Sequence, residues 1–157
     1  MESDLVEAWR RNAAMNHLLL DALPPKALGA RYSPTTRTVA AQFAHVHNVR
    51  VYHLEARGRT KGTRLKAFPR GARPAKAALR RALLASEEAI ASLLEACEAE
   101  GRVRSWRGPP ATFLAYFVSH EGHHRGLATA SLRLSGFKVR QEVLYGLWQE
   151  WGRERKG

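Results

Sequence analysis

The sequence contains a single cysteine, Cys97, so the chain cannot form an internal disulfide. Cys97 lies in a segment that is typical of a helix, SLLEACEAE. Neither a helix N-terminus nor a fixed cation beside it is evident that would lower the pKa of its thiol. We therefore expect a buried, unreactive cysteine, which argues against disulfide cross-linking and against cysteine-based catalysis.

Long apolar runs are also missing. No run approaches the ~20 residues that a helix needs to cross a bilayer. The first residues, MESDLVEAWRRN, are charged and lack the apolar core of a signal peptide. We expect no membrane partner and a cytoplasmic location.

Acidic residues are scarce, with 14 Asp and Glu against 26 Lys and Arg and a net charge of +12. Such a balance favours contact with nucleic acid, anionic surfaces or acidic small molecules. Ten of the basic residues and no acid fall within residues 57–81, and Gly and Pro indicate a loop over the first two thirds of this segment. Phe68 is the one aromatic residue there for base stacking, and no DNA-binding motif accompanies it. We interpret this segment as a solvated loop and keep a nucleic-acid-binding module as an alternative.

The remaining sequence predicts an all-α protein. A length of 157 residues and 45% hydrophobic residues suit one domain with a single core, residues 1–157. No segment is a convincing strand, whereas five segments have helical periodicity. We predict a four-helix bundle with a short additional C-terminal helix. The predicted helices cover residues 3–23, 35 or 36 to 58, 74–101 with Pro74 in the first turn, 111–134 and 141–151.

The most informative segment is HEGHHRG, residues 120–126. His120 and His124 are four residues apart and share a helix face. Positions 113, 117, 120, 124 and 128 alternate steps of four and three, which predicts an inward-facing stripe that begins with Phe113 and Phe117. Two imidazoles one turn apart can hold one divalent ion. His123 points to another side of the helix and is interpreted as a neighbour.

A third ligand would have to come from another helix. The second helix offers His45, His47 and His53, and periodicity does not choose among them. The non-functional alternative is that the histidines are simply hydrogen-bonded core or surface residues. That alternative is the preferred one for His53 and for His17, which have no cluster around them.

The letters H-E-G-H-H also match the zinc-protease string HExxH, in which the glutamate is a general base. A protease of this class needs a third ligand downstream, and no histidine follows His124. Glu121 also lies off the stripe of His120 and His124, so we do not expect it to act as a base.

Two phrases of this chain resemble the DinB family, which includes the YfiT-like proteins and thiol-dependent transferases. They are TVAAQFAH in the second helix and HEGHHRG in the fourth, and the resemblance covers nearly the whole chain. It implies a four-helix bundle with a divalent metal ion held by His45, His120 and His124, and so it favours His45 over His47. The family often has glutamine after the H-R-G phrase, whereas this chain has Leu127.

The resemblance also implies a function. Family members are expected to be metal-dependent hydrolases or thiol-dependent transferases that act on a small molecule, with a low-molecular-weight thiol as a co-substrate. Zinc or nickel is the first expectation for the metal, with iron, copper and manganese as alternatives. A homodimer is implied, with Trp148 and Trp151 as candidate contacts. A non-catalytic, stress-linked metal-binding protein is the competing interpretation. Arg125 is expected to have a structural role.

Overall fold

The computed structural model describes residues 3–152, and its regular structure is entirely helical, with no strand in that range. Four long helices form a bundle, and a short helix follows them, as the sequence predicts. Short 3-10 helices lie at Pro25–Gly29 and Glu150–Gly152. The α-helices are α1 Asp4–Asp21, α2 Val39–Glu55, α3 Lys76–Glu100, α4 Pro110–Leu134 and α5 Gln141–Gln149.

Side-chain caps and one glycine set several helix ends. The hydroxyl of Ser3 accepts a hydrogen bond from the Val6 amide at 3.2 Å, and that of Thr38 does the same for α2. Gly101 ends α3 in the left-handed region, with φ of 66°. A glycine adopts this conformation without the steric penalty of a side chain, which is why the predicted end of α3 is correct.

Two predicted helix starts are wrong. Residues 33–36 form a turn, closed by the Thr36 amide donating to the Ser33 carbonyl at 3.2 Å, so α2 begins only at Val39. Pro74 lies before the N-cap residue of α3, Ala75, and is not in its first turn. In both places a residue type that is common at helix starts, threonine or proline, lies instead in the segment that precedes the helix.

The hydrophobic core has two clusters. Each of the four long helices contributes to both, and each carries buried polar residues between its two contributions. One cluster includes Trp9, Leu54, Ile90, Phe113 and Phe117. The other includes Leu19, Phe43, Leu83, Ala128 and Leu132.

The polar layer between the clusters is organised around Glu121, which is completely buried. Arg50 donates to both carboxylate oxygens, from Nε at 2.7 Å and from Nη2 at 2.9 Å. Asn12 and Asn16 donate to Oε2 at 2.8 and 2.7 Å. Arg50 also donates to the Leu83 carbonyl at 3.0 Å. This network joins all four long helices.

Glu121 therefore lies in the interior, on a second buried face of α4 that the apolar stripe does not include. Arg125 belongs to the same face, and it donates to the side-chain oxygens of Asn16 and Asn12 at 3.0 Å each. Its contact with a neighbouring helix agrees with the structural role expected for it.

The basic loop and α5 pack on the edge of the second cluster, to which Phe68 and Val143 contribute. Asn48 on α2 pairs with the backbone of Phe68 in both directions, at 2.8 and 3.0 Å, and so fixes the loop to the bundle. Val143 of α5 is buried, while Trp148 is 76% exposed. None of the helices described has the length and apolar character that would let it span a membrane.

Candidate metal centre

Three histidines from two helices converge at one place between α2 and α4. His45, His120 and His124 each bring one ring nitrogen within 4.8 Å of those of the other two. The Nε2 atoms of His45 and His120 are 3.3 Å apart. The ring centroid of His124 lies 4.5 Å from each of the other two. These are the three positions that the family resemblance implies.

The helical register accounts for this convergence. His120 and His124 are one turn apart on α4, in the stripe that continues from Phe113 and Phe117. His45 lies about two turns into α2, on the side that packs against α4. His124 is buried, whereas His45 and His120 are partly exposed, so the cluster can be reached from solvent.

Gln42 orients one ring of the cluster. Its side-chain oxygen lies 2.6 Å from Nδ1 of His124. A carbonyl oxygen only accepts, so Nδ1 must carry the proton and Nε2 is left with a free lone pair. Holding a histidine by its other ring nitrogen is how proteins commonly orient a metal ligand. Gln42 is the buried polar residue inside TVAAQFAH. A polar residue among the apolar residues that precede His45 was the sequence signal for its role.

All three imidazoles are neutral near pH 7. Burial, with smaller repulsion from Arg37 and His120, lowers the pKa of His45 to about 4. Burial and the two neighbouring histidines lower the pKa of His124 to about 3. Burial also lowers the pKa of His120. Because a metal binds only the deprotonated nitrogen, these shifts favour metal binding over protonation.

The distances suit a metal ion. Two nitrogens bound 2.0–2.1 Å from a tetrahedral ion would lie about 3.3–3.4 Å apart, which is the separation between the Nε2 atoms of His45 and His120. Imidazole nitrogens are common ligands of zinc and of other divalent transition metals. The donor set therefore fits a divalent metal.

The other histidines of the described chain have different contacts. Nε2 of His47 donates to the Lys66 carbonyl at 3.0 Å and anchors the basic loop. His53 accepts from the Arg57 guanidinium, and His17 lies 2.9 Å from the Glu87 carboxylate. His123 is exposed on α4, as expected.

Glu121 is held in the buried polar network and is not placed to act as a base at this centre. Both of its oxygens already accept hydrogen bonds, and they face Arg50 and α1. Burial alone would raise the pKa of this carboxyl, but Arg50 and the other donors together lower it. The zinc-protease reading of H-E-G-H-H thus has no support in the position of its glutamate.

The sequence profile of the DinB superfamily matches residues 8–128. The chain belongs to the DinB superfamily. The match includes all three clustered histidines, Gln42 and the buried network around Glu121. No curated protein and no solved structure gave a significant match. Membership and the three-His cluster are compatible with binding of a divalent metal ion.

Proposed function

We propose that this DinB-superfamily protein binds a divalent metal ion through His45, His120 and His124 and uses it to hydrolyse a small molecule or transfer a thiol to it. The observation that carries the proposal is the convergence of three neutral imidazoles whose closest nitrogens are 3.3 Å apart. The lowered pKa values keep the ring nitrogens available to a metal ion near neutral pH.

Three features support a catalytic rather than a purely structural site. Three protein ligands leave a fourth position for water or substrate, whereas structural zinc sites use four. His45 and His120 are partly exposed, so a small molecule can approach. A divalent ion in such a site supplies Lewis-acid activation of water or of a thiol at neutral pH.

The surrounding residues would hold the ligands in place. Gln42 fixes the tautomer and the ring plane of His124. Tyr116 lies one turn before His120 and stacks on its ring at 5.8 Å. Three imidazoles suit zinc or nickel, and iron, copper and manganese are the alternatives.

Metal analysis of protein purified without a histidine tag tests the proposed ligands. We expect about one metal ion per chain in the wild type and less than about a tenth of that in the His124→Ala and His45→Ala variants. His123→Ala and His47→Ala are the matched controls, and both should keep the metal. The assignment is wrong if His47→Ala loses the metal while His45→Ala keeps it.

A panel of low-molecular-weight thiols with electrophilic acceptors, and of small amide and ester substrates, tests catalysis. Activity should require the bound metal and should disappear in His124→Ala but not in His123→Ala. Stoichiometric metal without turnover on any of these pairs would favour the non-catalytic, stress-linked alternative.

The homodimer remains a prediction of the family resemblance. Sedimentation of the wild type and of a Trp148→Ser variant tests it, because Trp148 is 76% exposed in the monomer. The predicted dimer is wrong if the wild type sediments as a monomer, and the predicted contact is wrong if both proteins sediment as dimers.

A further inference from the structure

A cavity of about 440 Å³ lies at the ends of α2 and α3, where the link to α4 passes. None of the three clustered histidines lines it. Its volume falls in the usual range of small-molecule sites, ~300–1,000 Å³. Polar and reactive side chains that line it are Arg57, Arg59, Arg102, Arg104, Glu100 and Cys97.

Arg57 is a rigid part of the cavity wall. It is only 7% exposed, and its guanidinium lies 4.4 Å from the centre of the Phe113 ring. Nη1 donates to the His53 carbonyl at 2.8 Å, whereas the buried Nε has no partner among the described residues. Burial lowers the pKa of Arg57, but an arginine stays protonated in water. A buried cation is costly without a counter-charge nearby, and an anion in the cavity would supply one.

The other three arginines are exposed at the cavity and have little compensation. No hydrogen bond or ion pair joins the guanidinium of Arg59 or of Arg104 to the residues that the structure describes. Arg102 approaches Glu100 at 3.8 Å, and both side chains are largely exposed. Four positive charges and one negative charge give the cavity lining a formal charge of +3. An anion in the cavity would relieve the repulsion among them.

We propose that this cavity binds a small molecule that carries linked phosphate groups. Guanidinium groups form bidentate hydrogen bonds with phosphate oxygens, and an arginine that is already held in place loses little conformational entropy when it forms them. The lining charge of +3 is comparable to that of a diphosphate or triphosphate. The site is independent of the metal centre and uses different residues.

Calorimetry with pyrophosphate tests the proposal on the protein as purified. We expect measurable binding to the wild type, and an affinity at least about tenfold lower in the double variant Arg59→Gln/Arg104→Gln. The control is Arg64→Gln/Arg70→Gln, which removes the same charge from exposed positions outside the cavity. It should change the affinity by less than about twofold. Equal losses in both double variants, or no binding to the wild type, would overturn the proposal.

Cys97 provides a local second readout, because it is the single cysteine and lines the cavity while only 5% exposed. Pyrophosphate should slow its reaction with a thiol reagent in the wild type and in the Arg64/Arg70 control, but not in the Arg59/Arg104 variant. Binding without this protection would place the anion elsewhere and overturn the proposal. A different outcome is that the wild type binds a single-stranded oligonucleotide more tightly than pyrophosphate, with both double variants weakening that binding equally. That result would indicate a general basic surface and would also overturn the proposal.

Discussion

Replacing Glu121 by glutamine tests the buried polar layer. Oε2 accepts from Asn12, Asn16 and Arg50, and Oε1 accepts from Arg50 alone. Glutamine can reproduce only one of these oxygens, and its NH2 group would then face the donor of Arg50. The fully buried Arg50 would also lose its counter-charge.

The expected cost is large. Breaking a buried ion pair by removing one partner costs about 3–5 kcal/mol. For a domain of this length that corresponds to a fall in Tm of roughly 10–15 °C. The measurement is the free energy of unfolding from urea titrations followed by circular dichroism, for wild type and Glu121→Gln.

Glu88→Gln is the matched control. Glu88 also pairs with an arginine, Arg10, at 2.6 Å, but its side chain is 65% exposed. Exposed ion pairs contribute about 0–1 kcal/mol, so this variant should unfold almost as the wild type does. If Glu121→Gln were no more destabilising than Glu88→Gln, the structural role would be refuted. A catalytic base would give the opposite pattern, with turnover lost and the unfolding curve unchanged.

Three further predictions concern the same regions. The pKa of Glu121 is lowered in the folded state, so its contribution to stability is complete above the unfolded carboxyl pKa, about 4.3, and is lost as pH falls through the folded value. A plot of the free energy of unfolding against pH in the acid range should therefore be less steep for Glu121→Gln than for wild type. Gln42→Leu removes the acceptor that orients His124, and competition with a metal chelator should show an affinity about 10–100-fold lower in a folded protein. Gly101→Ala places a side chain at φ of 66°, and urea unfolding should show a loss of about 1–2 kcal/mol; an unchanged midpoint would mean that the end of α3 relaxes.

The pairing of His120 and His124 could be predicted from sequence because it depends only on helix geometry. Residues four apart share a face wherever the helix packs. The choice between His45 and His47 could not be predicted, because both sides of α2 are buried and the two residues point ~200° apart, to nearly opposite sides of the helix. Packing of α2 against α4 on one side, and of the basic loop on the other, separates the two: His45 lies in the cluster, and His47 bonds the Lys66 carbonyl.

Glu121 shows why the interior of α4 was only half predicted. An apolar stripe identifies one buried face, but a second buried face made of charged residues looks like a solvated surface in sequence. α4 lies against both α1 and α2, and the Asn12 and Asn16 amides that compensate Glu121 are more than 100 residues away in the chain. No local pattern contains that pairing.

The sequence by itself determined the five helices, the loop nature of the basic segment and the i, i+4 histidine pair, because these follow from backbone propensity and helical periodicity. Tertiary structure decided the contact of Gln42 with His124, the network around Glu121 and the four-arginine cavity. Each of these depends on side chains from different helices or links that lie within hydrogen-bond or electrostatic range of one another. Packing between the elements sets those distances, and the spacing of residues along a single helix does not.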